Sequence, residues 1–386
     1  MEYNVFMNTK VALVHDFLIR KGGAERVLKA LAEMFPEAPI YTFLYDEKKV
    51  GDDFPAERVR TSFLQKFPGF LRKRQRFLLP FLPIAPETFD LREFDLVISS
   101  SSAFAKGIIT KPKTIHVCYC HSPMRYGWDW YHEYIQETFS GSFAKFAKWP
   151  AKLLMHYMRI WDRHASDRVE YFIANSQTTA RRIAKYYRRD AKIIYPPVNI
   201  TLEDEGARRA QNSITYNLKP KTYFLIVSQL IPYKKIDIAV EAFNKLGFPL
   251  IIIGEGKQRK ELEKAAKSNV KFLGWQADEV VKEYYRNCLA FVFPGEEDFG
   301  ITAIEAMSFG KPVLAFRKGG LTETVEEGLT GEFFDDPEPE ILADGVRRIR
   351  ENLNRYDPEH IRDQAKKFSE KRFKSEIKDF VQKLKP

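Results

Sequence analysis

The sequence predicts an α/β fold made of two doubly wound parallel-sheet domains. Three observations support this prediction: short apolar runs recur along the 386 residues, helical patterns separate them, and the alternation stops once, around residues 196–220, before it restarts. Strands buried on both faces of a parallel sheet need continuous rather than alternating hydrophobicity. Two β–α series separated by a break therefore indicate two such domains.

The first series opens with a buried strand at residues 11–14, and Gly22-Gly23 then leads into a helix. This helix ends before Pro36, and its apolar side chains fall on one face: Ala24, Val27, Leu28, Leu31 and Phe35. Further strands of this half are predicted at residues 96–98, 114–119, 171–174 and 192–195.

The second series is more regular, and its strands again lead into helices. Ligands of such sheets bind at the carboxyl ends of the strands. The strands are predicted at residues 223–227, 250–253, 270–273, 289–293 and 313–316. The helices are predicted to begin near Lys235, Lys257, Asp278, Ile301 and Leu321.

Residues 199–220 are polar and aperiodic, which predicts a linker or a surface excursion beside one. We therefore predict an N-terminal domain over residues 1–198, a linker over 199–220 and a C-terminal domain over 221–368. The last stretch, 369–386, reads as an amphipathic helix that could pack on either domain, and we expect it to cross back to the N-terminal one.

The composition is that of an ordinary globular protein, with 44% hydrophobic and 30% charged residues. No apolar stretch approaches the ~20 residues that span a bilayer, and the first residues do not resemble a signal peptide. Three cysteines without a C-x-x-C pair argue against a disulfide framework or structural zinc site. We expect a cytoplasmic protein. Its net charge of +10 predicts a polyanionic partner: nucleic acid, an anionic membrane or a phosphorylated small molecule.

Residues 61–86 interleave cations with large apolar side chains and contain no acidic residue. This pattern suits a segment that lies on an anionic membrane, such as the inner face of the cell membrane. The alternative is a helix that docks on the sheet and displays solvated cations, although Pro68, Pro80 and Pro83 limit its length. The cations of the second half of this segment are Arg72, Lys73, Arg74 and Arg76.

The most informative stretch is FVFPGEEDFGITAIEAMSFGKP, residues 291–312. A buried strand, an acidic loop and a helix that begins near Ile301 follow one another. The N-terminus of a helix has free N–H groups and partial positive charge, which suits a diphosphate. Glu297 lies in the loop and Glu305 one turn into the helix. Carboxylates are poor phosphate ligands but good acceptors for hydroxyl donors, such as the diols of a ribose and a hexose.

The E-x7-E pattern of Glu297 and Glu305, with the embedded FG and the EAMSFGKPV that follows, resembles the signature of family-4 retaining glycosyltransferases. The resemblance covers nearly the whole chain. It implies the GT-B architecture, in which two Rossmann-like domains face each other across a deep donor/acceptor cleft, and a nucleotide-sugar donor. It further implies that Glu297 contacts the donor sugar and Glu305 the ribose hydroxyls. The other donor-binding residues that it implies here are Asp298, Phe299, Gly300 and Ile301, the last three through their backbone.

Residues 227–243 resemble the segment whose arginine and lysine hold the donor phosphates in this family. Lys234 matches the lysine, whereas Gln229 occupies the usual arginine position and Lys235 the usual glycine position. One expected cation is therefore missing. Three consequences remain open: Lys235 compensates, donor affinity is lower, or activity is partly impaired.

Gly254-Glu255-Gly256 resembles the family's second glycine loop near the donor, although a lone G-x-G is also typical of a tight turn. Residues 272–275 resemble the segment that lines the nucleobase, which brings in Gly274 and Trp275 as donor contacts. Core packing is the alternative for Trp275.

In the first domain, Gly22-Gly23 resembles the loop that closes over the donor diphosphate, where backbone amides must approach without a Cβ in the way. His121, in Cys-His-Ser-Pro after a strand, resembles the family's histidine near the sugar. Residues 124–129 are typical of enzymes that add mannose or similar sugars. From them we predict acceptor contacts by Arg125, Tyr126 and Asp129. Asp16 and His15 are further candidates to line the wall of the site, and Asp16 is predicted to contact the acceptor. A role in the core or as a cap is equally open for them.

The resemblance implies transfer of a hexose from a nucleoside diphosphate sugar to an acceptor hydroxyl with anomeric retention. In a front-face displacement the leaving phosphate oxygen takes the acceptor's proton, so the protein supplies orientation and charge. Lys234, His121 and Glu297 are the predicted catalytic residues. Because no well-placed Asp-x-Asp is present, we predict that neither a metal nor a cofactor is needed.

Within this family the chain resembles mannosyltransferases of polysaccharide and lipid-linked glycan assembly, and this resemblance favours GDP-mannose and a glycan or lipid-linked acceptor. A UDP-sugar is an open alternative. Two other functions also fit the architecture: a nucleotide-sugar epimerase, and a non-catalytic binder of nucleotide sugars. The sequence has no nucleic-acid-binding motif, so a nucleic-acid partner is not expected.

Overall fold

The computed structural model describes residues 9–138, 144–200 and 222–384, and these form two α/β units. The first unit comprises the residues up to Pro197 together with those from Phe373 onward, and the second comprises Val198–Arg372. Apart from its first two residues, the predicted linker 199–220 lies outside the described residues.

The sheet of the first unit has seven strands, all parallel, in the order β3-β2-β1-β4-β5-β6-β7. The strand order reverses between β1 and β4, and the crevice outside the carboxyl ends of these two strands is where such a sheet places its ligand. The strands are β1 Val11–Leu18, β2 Ile40–Tyr45, β3 Val59–Thr61, β4 Leu96–Ser101, β5 Ile115–Cys120, β6 Tyr171–Ala174 and β7 Ala191–Ile193.

The sheet of the second unit has six parallel strands in the order β10-β9-β8-β11-β12-β13. Its order reverses between β8 and β11, so the loop after β11 lies at the position expected for a ligand. The strands are β8 Phe224–Val227, β9 Leu250–Ile253, β10 Val270–Gly274, β11 Phe291–Phe293, β12 Val313–Phe316 and β13 Gly331–Phe334. The prediction of two parallel-sheet α/β domains is confirmed.

Helices follow most of the strands, as a parallel sheet requires. In the first unit they are α1 Gly23–Met34, α2 Glu47–Val50, α3 Gly69–Lys73, α4 Tyr131–Thr138, α5 Ala144–Ser166 and α6 Gln177–Tyr187. In the second unit they are α7 Ile236–Leu246, α8 Arg259–Ala265, α9 Asp278–Asn287, α10 Ile301–Ser308, α11 Pro339–Glu351 and α12 Pro358–Lys366; α13, Glu370–Gln382, follows.

The C-terminal helix α13 contributes side chains to the core of the first unit. Phe373 and Ile377 are fully buried against the face of the sheet that carries Val11 and Leu13. Helix α1 covers the same face with Leu28. Alternate residues of the same strands point to the opposite face, because successive strand residues alternate in direction.

The second series differs from the sequence prediction in several places, and helices α11 and α12 are absent from that prediction. The helix predicted near Leu321 is wrong, since only a single 3₁₀ turn, Gly320–Glu323, forms there. The Thr322 hydroxyl donates back to the Gly319 carbonyl at 2.8 Å, and such local bonds compete with helix extension. Strand β13 is absent from the prediction because its sequence, Gly-Glu-Phe-Phe, lacks the continuous apolar run of the other strands.

Candidate functional site

Residues 294–300 connect strand β11 to helix α10, which begins at Ile301 as predicted. Gly300 precedes the helix with φ of 89°, in the left-handed region that favours glycine. A Cβ on Gly300 would also lie 2.7 Å from Leu321 Cδ2. The first N–H groups of an α-helix have no partner within the helix, so this end of α10 can bind an anion.

Close backbone packing holds the loop that carries Glu297. A Cβ on Gly295 would lie 2.8 Å from the Tyr233 carbonyl oxygen, so this glycine lets the loop pack against the turn before α7. On its other side, the Gly320 N–H donates to the Glu297 carbonyl at 2.8 Å. A Cβ on Gly319 would overlap the same carbonyl. The backbone of Glu297 is therefore fixed between two turns.

The side chains of Lys234 and Glu297 form an ion pair. Both are largely buried, with 14% of the lysine side chain and 21% of the glutamate side chain exposed. The lysine Nζ also lies 5.8 Å from the centroid of the Phe293 ring, at the end of β11. The structure therefore brings together a cation predicted to hold a phosphate and a carboxylate predicted to hold a sugar.

Glu305, one turn into α10, accepts a hydrogen bond from the Tyr285 hydroxyl at 3.1 Å. Tyr285 is a buried residue of α9 whose ring stacks on Phe309 at 5.8 Å between centroids. The tyrosine therefore holds the Glu305 carboxylate in place. The contact between Tyr285 and Glu305 could not be predicted from the sequence, because no local pattern connects residues on two different helices.

Gln229 and Lys235 are both exposed. Lys235 has φ of 55° and ψ of 36°, the left-handed conformation that glycine adopts at little cost. Glycine is the residue that the resemblance implies at this position. The lysine therefore introduces backbone strain directly before α7.

The change Lys235→Gly is expected to raise the free energy of unfolding of the second unit by about 0.5–1 kcal/mol, because relief of the left-handed strain exceeds the entropy cost of glycine. Urea denaturation measures this change. The control Lys235→Ala removes the same charge but keeps a Cβ, so it is expected to give no gain. Equal stability of the glycine and alanine variants would contradict the strain at position 235.

The predicted second glycine loop packs its backbone against residues 228–230. A Cβ on Gly254 would overlap the Ser228 carbonyl, and a Cβ on Gly256 would overlap that of Leu230. The Leu230 N–H donates to the Glu255 carbonyl at 2.9 Å. These contacts explain both glycines as parts of a tight turn, and their contact with a donor stays a prediction.

The Glu255 side chain forms an ion pair with Arg259 and accepts a hydrogen bond from the backbone N–H of Trp275 at 3.3 Å. Gly274, with φ of 72°, lets this carboxylate approach, since its Cβ would lie 2.7 Å from the Glu255 Oε1. The Trp275 side chain is 75% exposed. The alternative expectation that Trp275 packs in the core is therefore wrong. Contact of this side chain with a nucleobase stays a prediction.

In the first unit, Gly22 precedes α1, and Gly23 is the first residue of that helix. A Cβ on Gly22 would lie 2.8 Å from the Glu25 Oε2, so the absence of a side chain leaves room for this carboxylate. Burial alone would raise the pKa of Glu25, but hydrogen bonding and charge from His15 outweigh it and lower this pKa below its usual range. Glu25 is therefore ionised at neutral pH.

Ser100, at the carboxyl end of β4, connects two histidines. Its Oγ lies 3.1 Å from the His15 Nδ1 and 2.7 Å from the His121 Nε2. The His15 Nε2 lies 3.9 Å from the Glu25 Oε1. Burial, with a smaller effect of His15, lowers the pKa of His121 to about 3, so this ring is neutral at pH 7. His121 was predicted as a site residue from the sequence. The contact of Ser100 with His121 and the position of Glu25 beside His15 were not predicted.

Asp16 lies beside this cluster, at the end of β1. Its buried carboxylate accepts four backbone hydrogen bonds of 2.6–3.0 Å from the loop after β4. This is the capping role that the sequence left open, and the predicted acceptor contact stays a prediction. The four donors are the N–H groups of Ser102, Ala103, Phe104 and Ala105.

The three predicted acceptor residues lie in the segment after His121. The Tyr126 ring packs on Tyr134 at 5.4 Å, and burial raises its pKa well above the usual range. Asp129 forms an ion pair with Arg182 at 2.8 Å, and Arg125 is half-buried. Tyr126 and Asp129 thus have structural partners, and contact with an acceptor stays a prediction for all three.

Comparison with known proteins relates both halves of the chain to glycosyltransferases. The model of the family described as "Glycosyltransferase Family 4" matches residues 21–202, and that of "Glycosyl transferases group 1" matches residues 209–368. The structure of Anabaena HepE in complex with UDP has a TM-score of 0.69 over 97% of this chain and 100% of that one, at 20% identity. The chain thus has the GT-B fold, and its two halves match two glycosyltransferase family models.

Two curated relatives are similar to this chain over part of its length. An uncharacterised glycosyltransferase of Methanocaldococcus jannaschii is 28% identical over 55% of this chain and 59% of its own length. A D-inositol 3-phosphate glycosyltransferase of Mycolicibacterium smegmatis is 24% identical over 52% of this chain and 51% of its own. The chain thus spans little more than half the length of these relatives. WaaG, a glycosyltransferase involved in lipopolysaccharide biosynthesis, shares the fold with a TM-score of 0.66 and 17% identity, over 97% of this chain and 100% of that one.

Within residues 9–138, 144–200 and 222–384, no three His, Cys, Asp or Glu side chains come together in a way that would hold a metal ion. In the same ranges, no helix is both long and apolar enough to cross a bilayer. The three cysteines are buried, and no disulfide bond joins any two of them.

Proposed function

We propose that this glycosyltransferase moves a hexose, mannose from GDP-mannose, to a hydroxyl of a glycan or lipid-linked acceptor with retention of the anomeric configuration. One observation carries the proposal: Lys234, in the turn before α7, forms an ion pair with Glu297 of the loop that leads into α10, and Glu305 lies one turn into that helix. A cation, the N-terminus of a helix and two carboxylates are the groups that a diphosphate flanked by two sugars requires.

Each of these groups has a separate task. Lys234 and the N-terminal N–H groups of α10 stabilise the negative charge that builds up on the leaving diphosphate. Glu297 accepts hydrogen bonds from hydroxyls of the transferred sugar, and Glu305 accepts them from the ribose. The leaving phosphate oxygen receives the proton of the attacking hydroxyl, as the C–O bond to the phosphate breaks and the bond to the acceptor forms. No protein nucleophile takes part.

A panel of donors tests the proposal. GDP-mannose, UDP-glucose, UDP-galactose and ADP-glucose are each incubated with the enzyme, with and without a mixture of glycan and lipid-linked acceptors. We expect mannosyl transfer that needs an acceptor, and an α-linked product from the α-linked donor by proton NMR. UDP-glucose is included because HepE has been solved with UDP-glucose bound.

Three outcomes would overturn parts of this proposal. Conversion of the donor sugar without an acceptor would indicate an epimerase, and binding without turnover would indicate a non-catalytic binder. Transfer of glucose in preference to mannose would replace the proposed donor. Calorimetry with GDP, UDP and ADP assigns the base independently of the acceptor.

Full activity is expected to survive exhaustive treatment with EDTA followed by gel filtration into metal-free buffer. The reason is that Lys234 and the end of α10 supply the positive charge that a divalent ion would otherwise supply. Initial rates before and after chelation, and after addition of Mn²⁺ or Mg²⁺, measure this. Strict dependence on Mn²⁺ would contradict the prediction.

We also propose that the segment 61–86 rests on an anionic membrane surface. Its inner side docks on the first unit, where Leu64 and Leu78 are buried in the core. Its outer side exposes aromatic rings, with Phe70 68% and Phe77 51% accessible. Arg74 is exposed between them, and the side chains of Lys73 and Arg76 lie outside the described residues. Aromatic rings among cations suit the interface of an anionic bilayer.

Replacing Arg72, Lys73, Arg74 and Arg76 together by glutamine is expected to weaken binding to phosphatidylserine-containing vesicles by at least about 100-fold, since each cation near the surface contributes about 1 kcal/mol. Vesicle sedimentation measures the loss. A control with the same net charge replaces four exposed lysines elsewhere in the first unit and is expected to bind like the wild type. These are Lys48, Lys49, Lys111 and Lys113. Equal binding by the two variants would refute a specific role of this segment.

A further inference from the structure

The outward face of helix α5 exposes a stripe of large apolar side chains in the first unit. The stripe consists of Trp149, Leu153, Tyr157 and Ile160, of which Trp149 is 71% and Tyr157 59% exposed. This spacing places all four on one face of the helix. We infer that the stripe lies in the interface of an anionic lipid bilayer and forms one membrane-facing surface with the segment 61–86. The inference rests on the proposed function, in which that segment lies on such a membrane.

The inner side of α5 is packed, so the exposure of the stripe does not result from an undocked helix. Met155 and Met158 are buried in the same core cluster as Leu64, which belongs to the segment 61–86, and Val14 of strand β1. Helix α5 and the segment therefore cover the same face of the sheet. Their outer sides both point away from that face.

The two elements also adjoin each other. A Cβ on Gly107 would overlap the Trp161 ring of α5 and would lie 3.3 Å from the Pro86 Cγ, at the end of the segment. Just beyond both elements, Arg168 forms an ion pair with Glu87 at 2.7 Å. The exposed side chains of α5 and of the segment therefore belong to the same side of the first unit.

The charges around the stripe suit an anionic surface. Residues 144–161 contain four Lys and Arg residues and no acidic residue. Lys152 is exposed beside the stripe. Asp162, which follows, is fully buried and paired with Lys106. Lysine is depleted in protein–protein interfaces, whereas tryptophan and tyrosine beside lysine are typical of the boundary between lipid and water. A bilayer with anionic headgroups is therefore the partner that we infer.

Trp149 reports directly on this contact, because bromine atoms on lipid acyl chains quench tryptophan fluorescence. We expect vesicles of phosphatidylserine and brominated phosphatidylcholine to shift the emission of the wild-type enzyme to shorter wavelength and to quench it. Trp149→Phe should lose most of both effects. The matched control is Trp275→Phe, which removes a tryptophan of similar exposure from the second unit and should keep them. Equal quenching of Trp149→Phe and the wild type would overturn the inference.

The double variant Leu153→Gln/Tyr157→Gln tests whether the stripe contributes to affinity. We expect its binding to phosphatidylserine-containing vesicles to fall about 10–100-fold, because two large apolar side chains no longer enter the bilayer interface. Vesicle sedimentation gives the affinity, and the melting temperature shows whether the variant is folded. The control Leu329→Gln/Ile341→Gln removes two similarly exposed apolar side chains from the second unit and should bind like the wild type. Equal binding by both variants would contradict the role of the stripe.

Two measurements address other partners. Vesicles of phosphatidylcholine alone should bind at least about tenfold more weakly than vesicles with phosphatidylserine, and equal binding would refute the anionic partner. Analytical ultracentrifugation without lipid tests a second copy of the chain. A dimer that disappears in Leu153→Gln/Tyr157→Gln would show that the stripe is a contact between copies, and the inference would fail.

The failure of this inference can be told apart from the failure of the proposed function. The variant that neutralises the four cations of the segment 61–86 tests that segment, whereas quenching of Trp149 tests α5 alone. Loss of vesicle binding in the segment variant, together with an unquenched Trp149 in the bound wild-type enzyme, would refute only the role of α5. Sugar transfer in the donor panel, measured without vesicles, decides the proposed reaction separately.

Discussion

Replacing Lys234 by methionine is expected to lower kcat/KM about 10²–10³-fold, mostly through kcat, because a preorganised charge aimed at the leaving diphosphate acts most strongly in the transition state. Methionine has a similar length and keeps the apolar contacts with the Tyr233 and Phe293 rings, over which the ammonium group lies. The measurement is the initial rate of sugar transfer over a range of donor concentrations. A change in KM alone would show that Lys234 binds the donor without stabilising the transition state.

The controls for this variant address charge and folding. Lys245→Met removes an exposed lysine of the adjoining helix α7, which pairs with Glu241 and Glu340, and should leave the rate unchanged. Lys234→Met also leaves the partly buried Glu297 without its cation, so its melting temperature is expected to fall. The double variant Lys234→Met/Glu297→Gln should recover much of that stability while staying inactive. Recovery of activity in the double variant would contradict a catalytic role for the lysine.

Replacing Glu305 by alanine is expected to weaken the binding of GDP and of the donor about 10–100-fold, since a carboxylate that accepts from hydroxyls contributes about 1.5–3 kcal/mol. The rate at saturating donor should change much less, because the ribose lies away from the bond that breaks. Isothermal titration calorimetry with GDP gives the affinity. Tyr285→Phe removes the hydroxyl that holds this carboxylate, and it is expected to weaken the binding of GDP and of the donor less than Glu305→Ala does.

Glu297→Ala provides the contrast, because it is expected to depress turnover with little effect on GDP affinity. Glu340→Ala, an exposed carboxylate of α11 that pairs with Lys245, is the neutral control. If Glu305→Ala and Glu297→Ala both bound GDP and turned over like the wild type, the assignment of the two carboxylates would be wrong.

Features that depend on neighbouring residues could be predicted from the sequence. The start of α10 at Ile301 follows from an apolar strand, a glycine with freedom to adopt positive φ and a helical pattern, all within residues 291–308. The parallel sheets follow in the same way from continuous apolar runs. The edge strand β3 could not be predicted, because two of its three residues are exposed and it has no hydrophobic pattern.

Contacts between distant parts of the chain could not be predicted from local pattern. Ser100 meets His15 across 85 residues and His121 across 21, and a serine in a buried strand gives no signal of either contact. Resemblance helped at Lys234 and Glu297, which lie 63 residues apart, because each matches a family motif separately. No motif contains Tyr285, so its bond to Glu305 emerged only from the packing of α9 on α10.

Because the chain returns to the first unit at Phe373, the two units cannot be separated by a single cut between them. A fragment that stops at Pro197 would lack α13 and would leave Leu13 and Leu28 facing water where Phe373 and Ile377 now pack. Such a fragment should aggregate when expressed alone. Joining residues 373–384 to it through a short flexible peptide, or supplying them as a separate peptide, is the way to obtain the isolated first unit in soluble form.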